Sequence, residues 1–305
     1  MCVRRGRIVL SVGGLYTVKT FDGEIITCRA RGLFRLKNIS PCAGDFATVS
    51  FENAEGVIRD IDERRNELVR PPLANLDAAV IVVSSCEPNP NALILDKLTV
   101  ILESKKIETA FAFTKIDKKE AALFDVYQKA GFSCFSVDNE TGAGANKLAD
   151  FLIARAADAR DDAFFALIGN TGAGKTSLLN RLIPDLNRPT AEISKKLGRG
   201  RHTTRTVELH DFRGGGYIAD TPGFSSVRTG FYGDIKPGET AECFREFSPF
   251  SGRCEYAGCA HTGESGCAVG LAAEKGVIAP GRYENYKRIY EEIKEEHGRA
   301  RSAKR

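Results

Sequence analysis

The chain has 305 residues, 42% of them hydrophobic, and a formal net charge of +4. That length supports two or three packed domains, and the mild basicity permits nucleic-acid binding without requiring it. The longest apolar runs, Ala78–Val83 and Ala163–Ile168, are far too short to cross a bilayer.

The basic start Met1–Arg7 is followed by an apolar stretch broken at Gly13 and Gly14. No signal peptide is therefore expected, and a cytoplasmic protein without membrane attachment is. Up to residue 70, short alternating runs and turn signals predict strands over Arg7–Val12, Leu15–Phe21, Glu24–Ala30, Phe46–Phe51 and Gly56–Ile61. Five such strands without a helical pattern suggest a small antiparallel barrel of the OB-fold kind, with Gly44-Asp45 as a tight turn entering a strand. Basic clusters stand out at Arg4, Arg5 and Arg7, at Arg29, Arg31 and Arg35, at Lys195–Arg205 and in the tail Arg299–Arg305.

The pattern changes at Pro71-Pro72. Ala78–Ser84 reads as a buried strand of a parallel sheet, and Asn91–Lys105 has helical spacing. Strand Glu108–Phe113, helix Lys118–Ala130, strand Phe132–Ser136, helix Ala145–Ala157, strand Phe164–Gly169 and helix Lys175–Ile183 follow. This alternation predicts an α/β domain over 71–230. Residues 186–203 are polar and basic and read as a loop, while Thr206–Phe212 and Tyr217–Asp220 read as a hairpin. The remainder, 231–305, is irregular and glycine-rich, then closes with an amphipathic helix near Gly281–Glu296 and a basic tail.

Four segments in the α/β region carry chemistry. Gly169-Asn170-Thr171-Gly172-Ala173-Gly174-Lys175-Thr176 is a phosphate loop, set between a strand and a helix as its function demands. Its glycines let backbone N–H groups wrap phosphates, Lys175 is expected to reach the β- and γ-phosphates, and Thr176 to hold Mg²⁺; Ser177 continues the motif. Asp220-Thr221-Pro222-Gly223 follows a strand, which suits Asp220 to the Mg²⁺ shell and the Gly223 amide to γ-phosphate sensing. Thr114-Lys115-Ile116-Asp117 ends another strand: Asp117 can pair with the N1–H and 2-amino group of guanine, and Lys115 can pack across the base. Asp138, Asn139 and the turn to Gly144 sit at the next strand end, where backbone amides can meet the guanine oxygen. The order is unusual, because the guanine motif precedes the phosphate loop, and it predicts a circularly permuted GTPase.

Cys254-x4-Cys259-x-His261-x5-Cys267 supplies three thiolates and one imidazole. That is the ligand set of a closed, structural zinc site, in a segment with few apolar residues to fold around otherwise.

Taken with Gly44-Asp45, Arg70-Pro71, Ala74-Asn75-Leu76-Asp77, Thr141-Gly142-Ala143-Gly144, Gly200-Arg201-His202-Thr203-Thr204 and Asp220–Phe224, these residues resemble the ribosome small-subunit-dependent GTPase A (RsgA) family nearly end to end. The resemblance implies a multidomain chain: an OB-fold RNA-binding barrel (1–70), a circularly permuted GTPase domain (71–230) and a zinc-binding C-terminal domain with a basic helical tail (231–305). It implies GTP, Mg²⁺ and one Zn²⁺, and GTP hydrolysis stimulated by the small ribosomal subunit, with the subunit and its rRNA as partners of a monomer. The chain departs from the family in carrying Thr114 where Asn is usual, and Asp138-Asn139-Glu140 where Ser-Ala-Lys is usual. Phe224 stands where other GTPases place a water-orienting glutamine. The missing group is then expected from His202 or from the ribosome, with Thr203 or Thr204 closing on Mg²⁺ and the γ-phosphate. Competing readings are a permuted GTPase acting on a different RNA, a P-loop ATPase with a coincidental guanine motif, and a nucleic-acid-binding module that uses nucleotide only structurally.

Overall fold

The computed structural model describes residues 3–32, 34, 39–52, 55–158, 162–186, 207–213, 215–223 and 235–303. Its N-terminal strands are β1 (Val3–Val12), β2 (Leu15–Thr20), β3 (Ile25–Ala30), β4 (Phe46–Glu52) and β5 (Glu55–Ile61). They close on themselves: β1 pairs with β2 and β4, β2 with β3, and β4 with β5, all antiparallel. The last seam, β3 with β5, is parallel. The expected small antiparallel barrel of the OB-fold kind is thus present, with one parallel seam that strand alternation in a sequence does not signal. Ile8, Val18, Ile26, Val49 and Ile58 fill the interior. Gly6 lies on β1 where strands crowd from both sides, and a Cβ would sit 2.3 Å from the Lys19 carbonyl oxygen.

A short hairpin absent from the sequence expectation, β6 (Glu67–Val69) with β7 (Pro72–Ala74), joins the barrel to the second unit. Gly44, at φ +97°, packs into this joint, where a Cβ would strike the Ala74 carbonyl and the Phe164 ring. Asp45, fully buried, accepts from the Cys42 amide at 2.8 Å and from Arg64 at 2.7 and 2.8 Å. Asn75 donates to the Gly44 carbonyl at 3.2 Å, and Asp77 accepts from the Phe164 amide at 2.8 Å. The Gly-Asp and Ala-Asn-Leu-Asp motifs thus weld the two units together.

The second unit is built on β8 (Ala78–Ser84), β9 (Glu108–Thr114), β10 (Ser133–Val137), β11 (Phe164–Ile168), β12 (Glu208–Asp211) and β13 (Tyr217–Asp220). Strand order runs β10-β9-β8-β11-β13-β12, parallel throughout except for the antiparallel edge β12. Helices α1 (Ala92–Ser104) and α2 (Phe124–Lys129) cover one face; α3 (Ala145–Asp158) and α4 (Lys175–Leu182) cover the other. Central strands are buried on both faces, which explains their unbroken apolar runs. Helix α2 is much shorter than the 118–130 expected, because residues 118–123, after the guanine motif, are turns and irregular chain. Leu10 of β1 pairs with Glu208 of β12, so barrel and α/β sheet form one continuous sheet.

The C-terminal part contains three short 3-10 turns between Pro237 and Phe250, then α5 (Ala268–Glu274) and α6 (Pro280–Ala303). Helix α6 is longer than the 281–296 expected, and α5 was not foreseen in the glycine-rich stretch. Phe244, Phe247, Tyr286 and Ile289 form its core together with Val100 of α1. No helix among the described residues is long and apolar enough to cross a membrane.

Candidate guanine-nucleotide site and metal centre

The ends of β9, β10, β11 and β13 converge on one edge of the sheet, and each carries one of the motifs. Gly169 leaves β11 at φ +148°, where a Cβ would lie 2.3 Å from the Val82 carbonyl oxygen. Gly172 and Gly174 also have positive φ, at +81° and +92°, which turns the chain around the loop and into α4. Asn170, Thr171, Gly172 and Ala173 form the loop itself, and Lys175, Thr176 and Ser177 stand on the first turn of α4.

Lys175 is buried, and its Nζ donates to the carbonyls of Gly169 at 3.0 Å and Asn170 at 2.9 Å. Burial lowers its pKa, while the charge of Asp220 raises it in opposition. An ammonium held this way is short of anionic partners, and a phosphate would supply them. Strands β11 and β13 are in register at Leu167 and Asp220. That register brings the Thr176 hydroxyl within 2.5 Å of Asp220 Oδ2. A hydroxyl and a carboxylate this close, beside a phosphate loop, fit the protein side of a Mg²⁺ shell. Gly223 presses on the loop: a Cβ there would lie 2.4 Å from the Thr171 amide nitrogen.

On the base side, Thr114 is fully buried, and its hydroxyl donates to the Ala173 carbonyl at 2.6 Å. The hydroxyl thereby ties the guanine motif to the phosphate loop. Lys115, at φ +57°, donates to the Glu87 carbonyl, Ile116 is half-buried against the core, and Asp117 is exposed. Asp138 caps its own turn by accepting from the Glu140 amide at 2.8 Å and the Thr141 hydroxyl at 2.5 Å. Those bonds, the Thr141 hydroxyl first, hold its carboxyl below the usual carboxylate range. Asn139 reaches across to donate to the Gly174 carbonyl at 3.2 Å. Sequence reasoning missed Arg181, which belongs to no motif: its Nε donates to the Asn139 carbonyl at 2.8 Å and a second nitrogen to the Glu140 carbonyl.

His202, Thr203, Thr204 and Phe224 lie outside the described residues. So do the whole Lys195–Arg205 cluster and Arg35. The other barrel arginines are less available than composition suggested. Arg4, Arg5, Arg29 and Arg31 each pair with an acidic neighbour (Glu24, Asp62, Glu55 and Glu52), and Arg7 is no surface residue at all, being 1% exposed.

The four zinc-ligand candidates do come together, their ligand atoms all within 4.8 Å of one another. His261 Nδ1 lies 3.5 Å from Cys254 Sγ and 3.4 Å from Cys267 Sγ. Tetrahedral zinc with ordinary bond lengths would set a nitrogen and a sulfur about 3.5 Å apart, so the donor set fits that ion. Backbone amides of Ala268 and Gly270 donate to the sulfurs of Cys254 and Cys267, each at 3.3 Å, as suits thiolate ligands. Glu264 braces the loop by accepting from the amides of Ala260, Thr262 and Gly263. Its desolvation is outweighed by these bonds, which pull its pKa down to about 2.

A parallel sheet with phosphate loop, guanine motif and Asp-Thr-Pro-Gly turn on one edge, in this chain order, defines a circularly permuted P-loop GTPase fold behind an OB-type barrel. The models of known families agree, with the RsgA N-terminal domain matching residues 5–58 and the RsgA GTPase matching 61–230. The chain is 42% identical over 300 residues to the small ribosomal subunit biogenesis GTPase RsgA of Caldanaerobacter subterraneus subsp. tengcongensis, covering 97% of each. It is 39% identical over 297 residues to RsgA 2 of Listeria monocytogenes, covering 95% of this chain and 97% of that protein. Among solved structures, YjeQ from Thermotoga maritima superposes with a TM-score of 0.74 at 32% identity, covering 96% of this chain and 99% of that one. YloQ, described as a circularly permuted GTPase, gives 0.72 at 32% identity, covering 96% of both. The chain belongs to the RsgA GTPase family.

Proposed function

We propose that this protein is a GTP hydrolase acting as a switch in late maturation of the small ribosomal subunit, with that subunit stimulating its turnover. The observation that carries the reading is the junction of Thr176 with Asp220 beside Lys175, at one end of a site whose other end presents Asp117. Thr176 and Asp220 hold Mg²⁺, Lys175 and the amides of 169–174 hold the phosphates, and Gly223 senses the γ-phosphate. Thr114 to Asp117, with Asp138 and Asn139, hold guanine. Relatives named as small ribosomal subunit biogenesis GTPases support the partner.

The chain divides at about residues 70 and 230, a reading supported by family matches over 5–58 and 61–230. The cluster Cys254, Cys259, His261 and Cys267 holds one structural Zn²⁺, and its four protein ligands leave no open position for catalysis. The protein acts as a cytoplasmic monomer and binds rRNA through the barrel, the basic loop and the C-terminal unit. GTP binding sets the ribosome-competent state, and hydrolysis ends it. Thr203 or Thr204 closes on Mg²⁺, and His202 or the ribosome orients the attacking water.

The test is GTP turnover with and without purified small subunits, at two salt concentrations. Stimulation that weakens with salt is expected. Absence of stimulation leaves a permuted GTPase with another RNA target. Turnover of ATP as fast as GTP would instead make the guanine motif coincidental.

A further inference from the structure

The phosphate helix and the base-reading turn are stapled to each other at two points. At the N-terminus of α4, the Asn139 carboxamide donates to the Gly174 carbonyl at 3.2 Å. Near its C-terminus, Arg181 donates to the carbonyls of Asn139 and Glu140. The two anchor points on α4 are seven residues apart, about 10 Å along the axis, and the turn 139–140 is held between them. The contact is close, since a Cβ on Gly174 would come within 2.8 Å of Asn139 Nδ2, and a Cβ on Gly142 would lie 3.8 Å from the Arg181 side chain. Among the described residues Asn139 Oδ1 has no hydrogen-bond partner, and it is the carboxamide nitrogen that makes the link to Gly174.

We infer that Arg181 is a positioning residue for guanine. It sets the height of the turn that the guanine reading assigns to the guanine oxygen, and it does so from the helix that begins at the phosphate loop. This assignment rests on the guanine-nucleotide reading given above. Arg181 touches neither base nor phosphate in it; the side chain acts by fixing the carbonyls of Asn139 and Glu140 while the turn's own hydrogen bonds hold the amides of Asp138, Glu140, Gly142 and Ala143. Base recognition in this chain is then indexed to α4 as well as to β10. The Asp117 carboxylate, standing on the other loop, reads the 2-amino group independently of Arg181.

The independence supplies the test. Binding of GDP, of IDP (which lacks the 2-amino group) and of inorganic tripolyphosphate is measured for the wild type, Arg181→Ala, Arg181→Lys and Asn139→Ala, with thermal unfolding of each. Arg181→Ala should weaken GDP and IDP alike, by about 10-fold, the loss of two modest hydrogen bonds. Tripolyphosphate binding should hold, and Arg181→Lys should recover part of the loss. Asn139→Ala, which keeps the amides but frees the inner anchor, should fall in the same direction. Unchanged GDP binding in Arg181→Ala overturns the assignment, as does an equal loss for tripolyphosphate, which would make Arg181 a support of the helix alone. A wild type that fails to bind GDP would sink the guanine reading itself, a separate outcome from either.

Discussion

Arg282 of α6 and Asp96 of α1 meet at 2.5 Å with side-chain exposures of 2% and 0%, so the C-terminal unit is bolted to the GTPase unit by a fully buried ion pair. The carboxylate is completed by Tyr127 at 2.8 Å and Asn285 at 2.7 Å, and the guanidinium by Glu246. Arg282 also lies over the rings of Tyr127, Phe132 and Phe244. Desolvation works against its charge, and Asp96 with Glu246 overcomes it, so its pKa is raised. Helix α6 is thereby fixed to α1.

Breaking that bolt on one side should be costly. Arg282→Met strands the Asp96 charge, and a loss of about 3–5 kcal/mol is expected on denaturant unfolding. Asp96→Asn with Arg282→Met together should cost less than the sum of the two single changes. Strict additivity would show that the pair is not coupled.

Arg7 presents the opposite case. Among the described residues its three guanidinium nitrogens are buried without a hydrogen-bond partner, and the group is held by the Phe46 ring at 4.5 Å, with Tyr217 at 5.5 Å. Burial lowers its pKa, with Asp162 and Asp77 opposing at longer range. Arg7→Met keeps the apolar stem and removes the unpaired charge, so stability should stay level or rise by about 1–3 kcal/mol. A fall of similar size in the unfolding midpoint would mean that the aromatic box outweighs the missing bonds.

Asp117 and Lys175 separate base from phosphate. Asp117→Asn should weaken GTP binding by at least about 100-fold, on the scale of a lost charged hydrogen-bond pair, and shift preference to xanthosine nucleotides. Lys175→Ala should abolish turnover with either base. Retained GTP preference in Asp117→Asn would place the base elsewhere.

Zinc content gives a separate readout. One equivalent is expected in the purified chain, and Cys259→Ser should remove it and expose 254–267 to proteolysis, since little apolar packing holds that loop. Turnover without ribosomes should be little affected. A metal-free wild type with the same protease resistance would leave the cluster as a set of reduced thiols.

Much of the site was legible because its parts are short and local. A phosphate loop needs glycines at fixed offsets before a helix, and a guanine reader needs one carboxylate at a strand end; both patterns survive in a bare string of letters. The barrel and the parallel sheet were legible through alternation and apolar runs. Helix α5 and hairpin β6–β7 were not, being three to seven residues long and too short for periodicity to show. The arginine clusters misled for a different reason: the string shows Arg4, Arg5 and Arg7 side by side, and Arg7, on the same strand face as the exposed Arg5, is buried because that face packs against Phe164 and Tyr217 of the second unit.

Alone, the sequence determined the chemistry of the site and the permuted order of its motifs, because those depend on residue type and spacing within a dozen positions. Tertiary structure decided the rest: the parallel closure of the barrel, the Asp96–Arg282 bolt across 186 residues, and the grip of Arg181 on a turn 41 residues away. Contacts at such separations are set by how the layers stack. Any single partner, read without that stacking, is one more exposed arginine or one more aspartate on a helix.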